Sequence, residues 1–264
     1  MREALYPILH DILGDHKGGA VFRCFDLWHL FLIFLFIVLT ATVYIILKKK
    51  GTDDRKKTLD ILMDICFGLY VLDFFLMPFA YEYIDIEKLP FHICTAMCVM
   101  CFLSRKISWL KEWRTHLALL AFISNFVYLV YPAGVMWHQV HPFSYRVIQT
   151  LCFHGLMTAY GFNAVIYDGE DLRWKTCWKE LVVLAGMVIW ALIGNYLYNG
   201  TAGSYSHFHN WFFVVEDPFG MLDKDMAPFI MPFLNIIVFF AVEMALYPLF
   251  MKMRKKVREG EEIS

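Results

Sequence analysis

From Leu27 to Leu47 the chain carries one strongly polar side chain, His29, and the run then stops at Lys48-Lys49-Lys50. An apolar stretch of about 20 residues is what a helix needs to cross the hydrocarbon core of a bilayer. Only helices and closed barrels satisfy their backbone there, so this stretch restricts both the solvent and the kind of element. It also sets a direction. The three lysines, with Arg55, Lys56 and Lys57 in the following loop, form a basic block of the kind retained on the cytoplasmic side, which makes the first span run from outside to inside. Composition agrees, since 59% of the 264 residues are hydrophobic and mean hydropathy is +0.51, against an apolar share of about 45–50% in soluble domains. Net charge is −1, with the basic residues in short runs between apolar stretches, which offers no footprint for nucleic acid.

Six further apolar stretches follow, at about 59–80, 89–103, 116–131, 143–166, 181–198 and 228–250. Basic loops alternate with basic-poor loops throughout. The expectation is an all-α, polytopic protein of the cell membrane with seven transmembrane helices, its amino terminus outside and its carboxyl terminus cytoplasmic. Residues 27–250 read as a single seven-helix domain, 251–264 as a basic cytoplasmic tail, and 1–26 as an amphipathic segment lying on the membrane or capping the bundle. No signal-peptide pattern opens the chain, so the first span is expected to stay in the mature protein. Seven cysteines, an odd number and mostly inside apolar stretches, argue against a disulfide framework.

Polar groups inside such spans need a reason, and the default reason is function. Leu89-Pro90-Phe91-His92-Ile93-Cys94 places a histidine and a thiol at the start of the third span, with proline at home in a first helical turn. Cys94, Cys98 and Cys101 then share one helix face, a stripe that also suits close packing. The fifth span is the most polar, with Arg146, Gln149, His154 and Asn163 directed toward one shared cavity. In the second span, Asp64 and Asp73 are expected to turn inward.

A thiol becomes a nucleophile when an imidazole takes its proton, and amide or guanidinium donors stabilise the oxyanion of an attacked ester. Cys94 as nucleophile, His154 as base and His92 as orienting or alternate base make a coherent catalytic set. Arg146, Gln149, Asn163, Asn195 and Asp73 are the candidate substrate contacts. One geometric difficulty stands out: Cys94 lies near the outer end of its span, whereas His154 lies about 11 residues into one descending from the same side. At about 1.5 Å per residue the depth mismatch is near 10 Å, unless tilt or a shifted helix start closes it.

Two other readings stay open. Asp64, Asp73, Arg146, His154 and Glu243 also suit a transporter or small-ligand-binding protein. The outer histidines His138, His141, His207 and His209, with His92 and Asp217 or Asp223, are the raw material of a metal-dependent hydrolase, but they show no His-Glu-x-x-His signature, and neither a metal nor a cofactor is expected. The expected partners are membrane lipids.

Leu89-Pro90-Phe91-His92-Ile93-Cys94, then Leu151-Cys152-Phe153-His154-Gly155, then Gly194-Asn195-Tyr196-Leu197 occur in the order in which they open the third span, occupy the fifth and close the sixth. With them the chain resembles the bacterial YwaF-type integral membrane proteins over most of its length. That family is similar, more distantly, to a eukaryotic membrane acyltransferase that remodels ether phospholipids. The resemblance implies a helix-borne catalytic pair, Cys94 and His154, and a lipid acyltransferase or acyl hydrolase. The outer loop from Asn199 to Ala227 is not matched.

Overall fold

The structure is a computed structural model that describes residues 2–13, 20–80, 88–136, 140–169, 172–199, 210–218 and 220–262. The elements are α1 (Arg2–Leu13), α2 (Leu27–Lys48), α3 (Thr52–Ala80), α4 (Ile93–Lys106), α5 (Arg114–Val130), α6 (Ala133–Met136), α7 (Tyr145–Tyr167), α8 (Trp178–Asn199) and α9 (Ala227–Glu262). Among the described residues there is no strand. Four segments, Leu27–Lys48, Ser108–Met136, Trp174–Asn199 and Ala227–Glu259, are long and apolar enough to cross a membrane. The chain is therefore a multi-pass helical membrane protein. Helices α3 and α7 match these in length but carry more polar groups. Helix α4 has 14 residues, about 21 Å of rise, short of a hydrocarbon core of about 30 Å.

Helices α5 and α7 form the axis of the bundle. Gly161 lets them approach, because a Cβ there would lie 2.6 Å from the Phe122 nitrogen and 2.8 Å from the Ala118 oxygen. Helices α2 and α3 pack on α7, α4 packs on α5, and α8 pairs with α9. Helix α1 lies against α3 and α7. The entry to α2 is secured by Asp26, whose Oδ1 accepts the His29 amide at 2.7 Å. His29, fully buried, accepts the Phe25 amide at Nδ1 (2.9 Å) and meets the Leu129 carbonyl of α5 through Nε2 (2.9 Å). The one strongly polar side chain of the first span is thus a tie between helices.

At one end of the bundle, arginines close the carbonyl-bearing helix ends, which lack intrahelical partners and carry partial negative charge. Arg55 Nε donates to the Leu47 oxygen at 2.7 Å, and Arg254 bonds the carbonyls of Val165, Asp168 and Gly169. Arg105 reaches Asp60, Asp168 Oδ2 at 2.9 Å and the Tyr160 hydroxyl at 3.2 Å. We call this the basic end, and the opposite one, where α2, α4 and α7 begin, the site end.

The start of the third span differs from expectation. Pro90 lies in a turn, and the helix begins at Ile93 with His92 as its N-cap. The Phe91 amide bonds the Leu89 oxygen at 2.7 Å. The buried Phe91 ring packs 5.0 Å from both Trp190 and Trp211. Anchoring this ring draws Leu89–His92 out of the helical path.

Candidate functional site

Helix α7 starts at Ser144, whose hydroxyl accepts the Val147 amide at 3.4 Å. Nine residues beyond Tyr145 it presents His154, only 7% exposed. His154 Nδ1 lies 2.7 Å from the Thr150 carbonyl. A carbonyl can only accept, so Nδ1 carries the hydrogen and Nε2 holds the free lone pair. Nε2 makes no hydrogen bond to the described residues. The ring is held by stacking on Tyr128 of α5, centroids 3.9 Å apart and 13° from parallel, and by Phe153 at a right angle.

Cys94 is the second residue of α4 and equally buried. Its thiol donates to the Ser124 carbonyl at 3.5 Å. Ser124 and Tyr128 are four residues apart on α5, so Cys94 and His154 meet the same face of that helix on successive turns. The two contacts are about 6 Å apart along α5, with Ser124 farther from the site end than Tyr128, so the offset runs opposite to the expected depth mismatch. The thiol and the imidazole do not bond each other.

Around them lies a charged rim. Lys88 and His92 are close enough to His154 to act on it electrostatically. Lys88 Nζ pairs with Asp73 Oδ2 at 2.9 Å, and the Tyr145 hydroxyl donates to Asp73 Oδ1 at 3.1 Å. Tyr70 donates to the Lys88 carbonyl at 2.9 Å. Arg146 is buried in the first turn of α7, and Gln149 accepts from the Thr150 hydroxyl at 3.4 Å. Asp73, Lys88, Tyr145, His92 and His154 thus join α3, the turn before α4, and α7.

Other expectations end elsewhere. Asp64 is exposed although it was expected to face inward. Nine residues separate it from Asp73, two and a half helical turns, so the two cannot share a face. Asn163 donates to the carbonyls of Thr40 (3.2 Å) and Ala159 (2.9 Å), tying α7 to α2. Asn195 donates to the Trp211 oxygen at 3.1 Å and accepts its amide at 3.0 Å. It belongs to a clamp on the turn Trp211–Phe213, where Phe212 and Phe213 hold left-handed backbone (φ 57° and 51°). Asn235 bonds both of their carbonyls, and Asn210 the turn's flanks. Left-handed backbone at bulky residues persists only where the surroundings enforce it. Cys98 and Cys101 are core fillers beside Cys66.

Of the outer histidines, His138, His207 and His209 lie outside the described residues. Asp217 accepts the amides of Met221 and Leu222 in its own loop. Among the described residues no group of three His, Cys, Asp or Glu side chains is placed to hold a metal.

Sequence reasoning missed Lys88, Ser124 and Tyr128. Lys88 directly precedes the Leu89-Pro90 start, and Tyr128 sits one helical turn after Ser124. Those spacings were the available signal.

A model of the TMEM164 family matches residues 24–254, and the chain belongs to this family of membrane proteins. No curated protein and no solved structure matches it.

Proposed function

We propose that this TMEM164-family protein is a membrane-embedded lipid acyltransferase or acyl hydrolase, with Cys94 as nucleophile and His154 as general base. The observation that carries the reading is the state of His154: buried, oriented through Nδ1 by the Thr150 carbonyl, and unpartnered at Nε2. An oriented ring whose Nε2 lone pair meets none of the described residues is placed to take a proton. The resemblance read from Leu89–Cys94 and Leu151–Gly155 in the sequence implies the same pair.

In this mechanism the Cys94 thiol leaves the Ser124 carbonyl and yields its proton to His154 Nε2. The thiolate attacks the ester carbonyl of a lipid, the carbon–oxygen bond breaks, and the departing lipid oxygen takes the proton back from His154. The resulting thioester on Cys94 is attacked by an acceptor hydroxyl, from a lysolipid or water, which passes its proton to His154 and restores the thiol. Developing oxyanion charge falls at the N-terminus of α4, where the Ile93, Cys94 and Thr95 amides lie in a first turn that the His92 side chain does not cap. Lys88, Arg146 and Gln149 are the contacts for a phosphate-bearing head group, with Asp73 orienting Lys88. Asn163 and Asn195 are left out of the site because their bonds hold helices and the Trp211 turn.

The same reading assigns seven spans, α2, α3, α4, α5, α7, α8 and α9, in the cell membrane, with the amino terminus and the site end outside. The basic end and the carboxyl terminus are then cytoplasmic, as the alternation of basic loops requires.

The test is a thioester-forming lipid probe applied to purified, reconstituted protein and read by mass spectrometry. Acylation of Cys94 that disappears in His154→Ala supports the pair. Equal, slow labelling of several cysteines removes it.

Transport is the second reading, and one observation favours it. Glu243 is fully buried, and neither carboxyl oxygen is hydrogen-bonded to the described residues. Solute flux into vesicles that Glu243→Gln abolishes and Cys94→Ala leaves intact would shift the assignment to transport.

A further inference from the structure

Toward the basic end, α5, α8 and α9 bring together a second set of ionisable side chains. His116, in the first turn of α5, and Glu180, in the first turn of α8, are both fully buried, and His116 Nδ1 lies 2.7 Å from Glu180 Oε1. Glu243 of α9 is fully buried as well and close enough to Glu180 for the two carboxyls to act on each other. The second oxygen of Glu180 and both oxygens of Glu243 make no hydrogen bond to the described residues. His116 lies eight residues before Ser124, about 12 Å along α5, so this cluster is distinct from the site around Cys94.

We infer that Glu243, Glu180 and His116 form a buried proton-binding site, in which Glu243 stays an un-ionised carboxylic acid at neutral pH and gives up its proton as the pH rises. The site goes beyond both functional readings and requires neither. A lone carboxylate is far more costly to bury than a carboxylic acid, so a buried acid that meets no cation is neutralised instead. The nearby cations are engaged elsewhere. Lys179, next to Glu180 in sequence, donates from Nζ to the Glu112 carbonyl at 3.0 Å and lies over the Trp113 ring. Arg254, further along α9, bonds the carbonyls that end α7. His116 is joined to Glu180, so it balances at most one of the two acids. A proton also suits the donor set better than a metal ion does. Among the described residues no group of three His, Cys, Asp or Glu side chains is placed to hold a metal, whereas a proton needs one oxygen.

The titratable groups around Glu243 are Glu180 of α8, Tyr247 one turn along α9, His116 of α5 behind Glu180, and Cys177 just before α8. Tyr247 is fully buried, stands near Thr176 and packs its ring 5.4 Å from that of the exposed Trp174. A proton leaving Glu243 therefore has its polar neighbours on the side of the basic end. Once the proton has gone, a second negative charge faces Glu180 across the contact of α8 with α9, and like charges in a buried site repel. The seating of α9 on α8 thus responds to pH.

Glutamine has the shape and neutrality of the un-ionised acid, which makes Glu243→Gln the deciding variant. Full-length protein is measured by infrared spectroscopy in a detergent without ester groups. At about pH 7, where an exposed glutamate is ionised, the wild type is expected to show the carbonyl stretch of a carboxylic acid, shifted in heavy water, and Glu243→Gln to lose it. Glu180→Gln keeps this band and moves the pH at which it disappears by about one unit or more, the mark of interacting acids. Thermal unfolding is the independent readout. A proton that Glu243 holds only in the folded protein lowers stability as the pH rises through the ordinary glutamate range. Wild type and Glu243→Gln should therefore unfold together at about pH 4, and the variant at the higher temperature at about pH 8. A spectrum unchanged by Glu243→Gln, or a variant that unfolds below the wild type at the higher pH, would overturn the inference. So would a wild type stabilised by sodium ions at constant ionic strength when Glu243→Gln is not, because the cluster would then hold a metal cation. None of these measurements reads acyl transfer or solute flux, so the failure of either functional reading is seen separately.

Discussion

The basic end and the site end of the bundle bury polar side chains to a similar depth and finish them differently. Arg105, its side chain 3% exposed, reaches Asp60, Asp168, Tyr160 and the Lys56 carbonyl. His154, 7% exposed, has one nitrogen bonded and one not, and the neighbouring thiol is held by a single long bond to a carbonyl. A guanidinium network with its donors matched is a fastening between helices. A nitrogen with its lone pair unmet by the described residues is placed to accept a proton. Burial alone does not separate structural from reactive polar groups in a membrane protein.

That contrast can be broken at several points. The largest effect is expected from Cys94→Ala, which should lower acyl transfer about a thousandfold or more while leaving thermal unfolding in detergent close to wild type. A large loss of stability instead would put Cys94 in the same class as Arg105. Arg105→Ala should cost about 3 kcal/mol by stranding buried partners, seen as a lower unfolding midpoint, with thiol-probe labelling of Cys94 per folded molecule unchanged. Gly161→Ala forces a methyl against the Phe122 backbone and should cost about 2 kcal/mol in the same assay, because neither α5 nor α7 has a flexible side chain there to yield. Asn195→Ala leaves the buried Trp211 amide without its acceptor and should cost about 1–2 kcal/mol. Cys94 acylation unaltered in that variant would show that Asn195 acts only through the Trp211 turn. The smallest stability change, below about 1 kcal/mol, is expected for Lys88→Gln, since the pair with Asp73 is partly open to solvent. Its signature is a raised KM for phosphate-bearing lipids at nearly constant kcat.

The long helices were legible because length and hydropathy change together at their ends. The fourth apolar stretch, expected at 116–131, is α5 at Arg114–Val130, and the sixth, expected at 181–198, is α8 at Trp178–Asn199. Cys94, His92, His154 and Asp73 stood out because ionisable or reactive groups are conspicuous against hydrocarbon. Their partners did not stand out: Ser124 acts through its backbone carbonyl and Tyr128 through its ring face, and neither is unusual in a membrane helix. Asn163 and Asn195 looked like Arg146 and Gln149 in the sequence. Only the carbonyls they meet separate the helix ties from the rim.

By itself, the sequence determined that this chain is a helical, multi-pass membrane protein and which few polar side chains its apolar segments contain. Those conclusions follow from transfer energetics, which act residue by residue and need no neighbour. The tertiary structure decided which way each of those side chains faces. It placed Cys94 and His154 on one face of α5, put Asp73 inside and Asp64 outside, and turned Leu89–His92 out of the helix to anchor Phe91. In water, an amphipathic pattern announces the buried face of a helix. In lipid the outer face is as apolar as the inner one, so facing is settled by packing and hydrogen bonds between helices, which a one-dimensional pattern does not record.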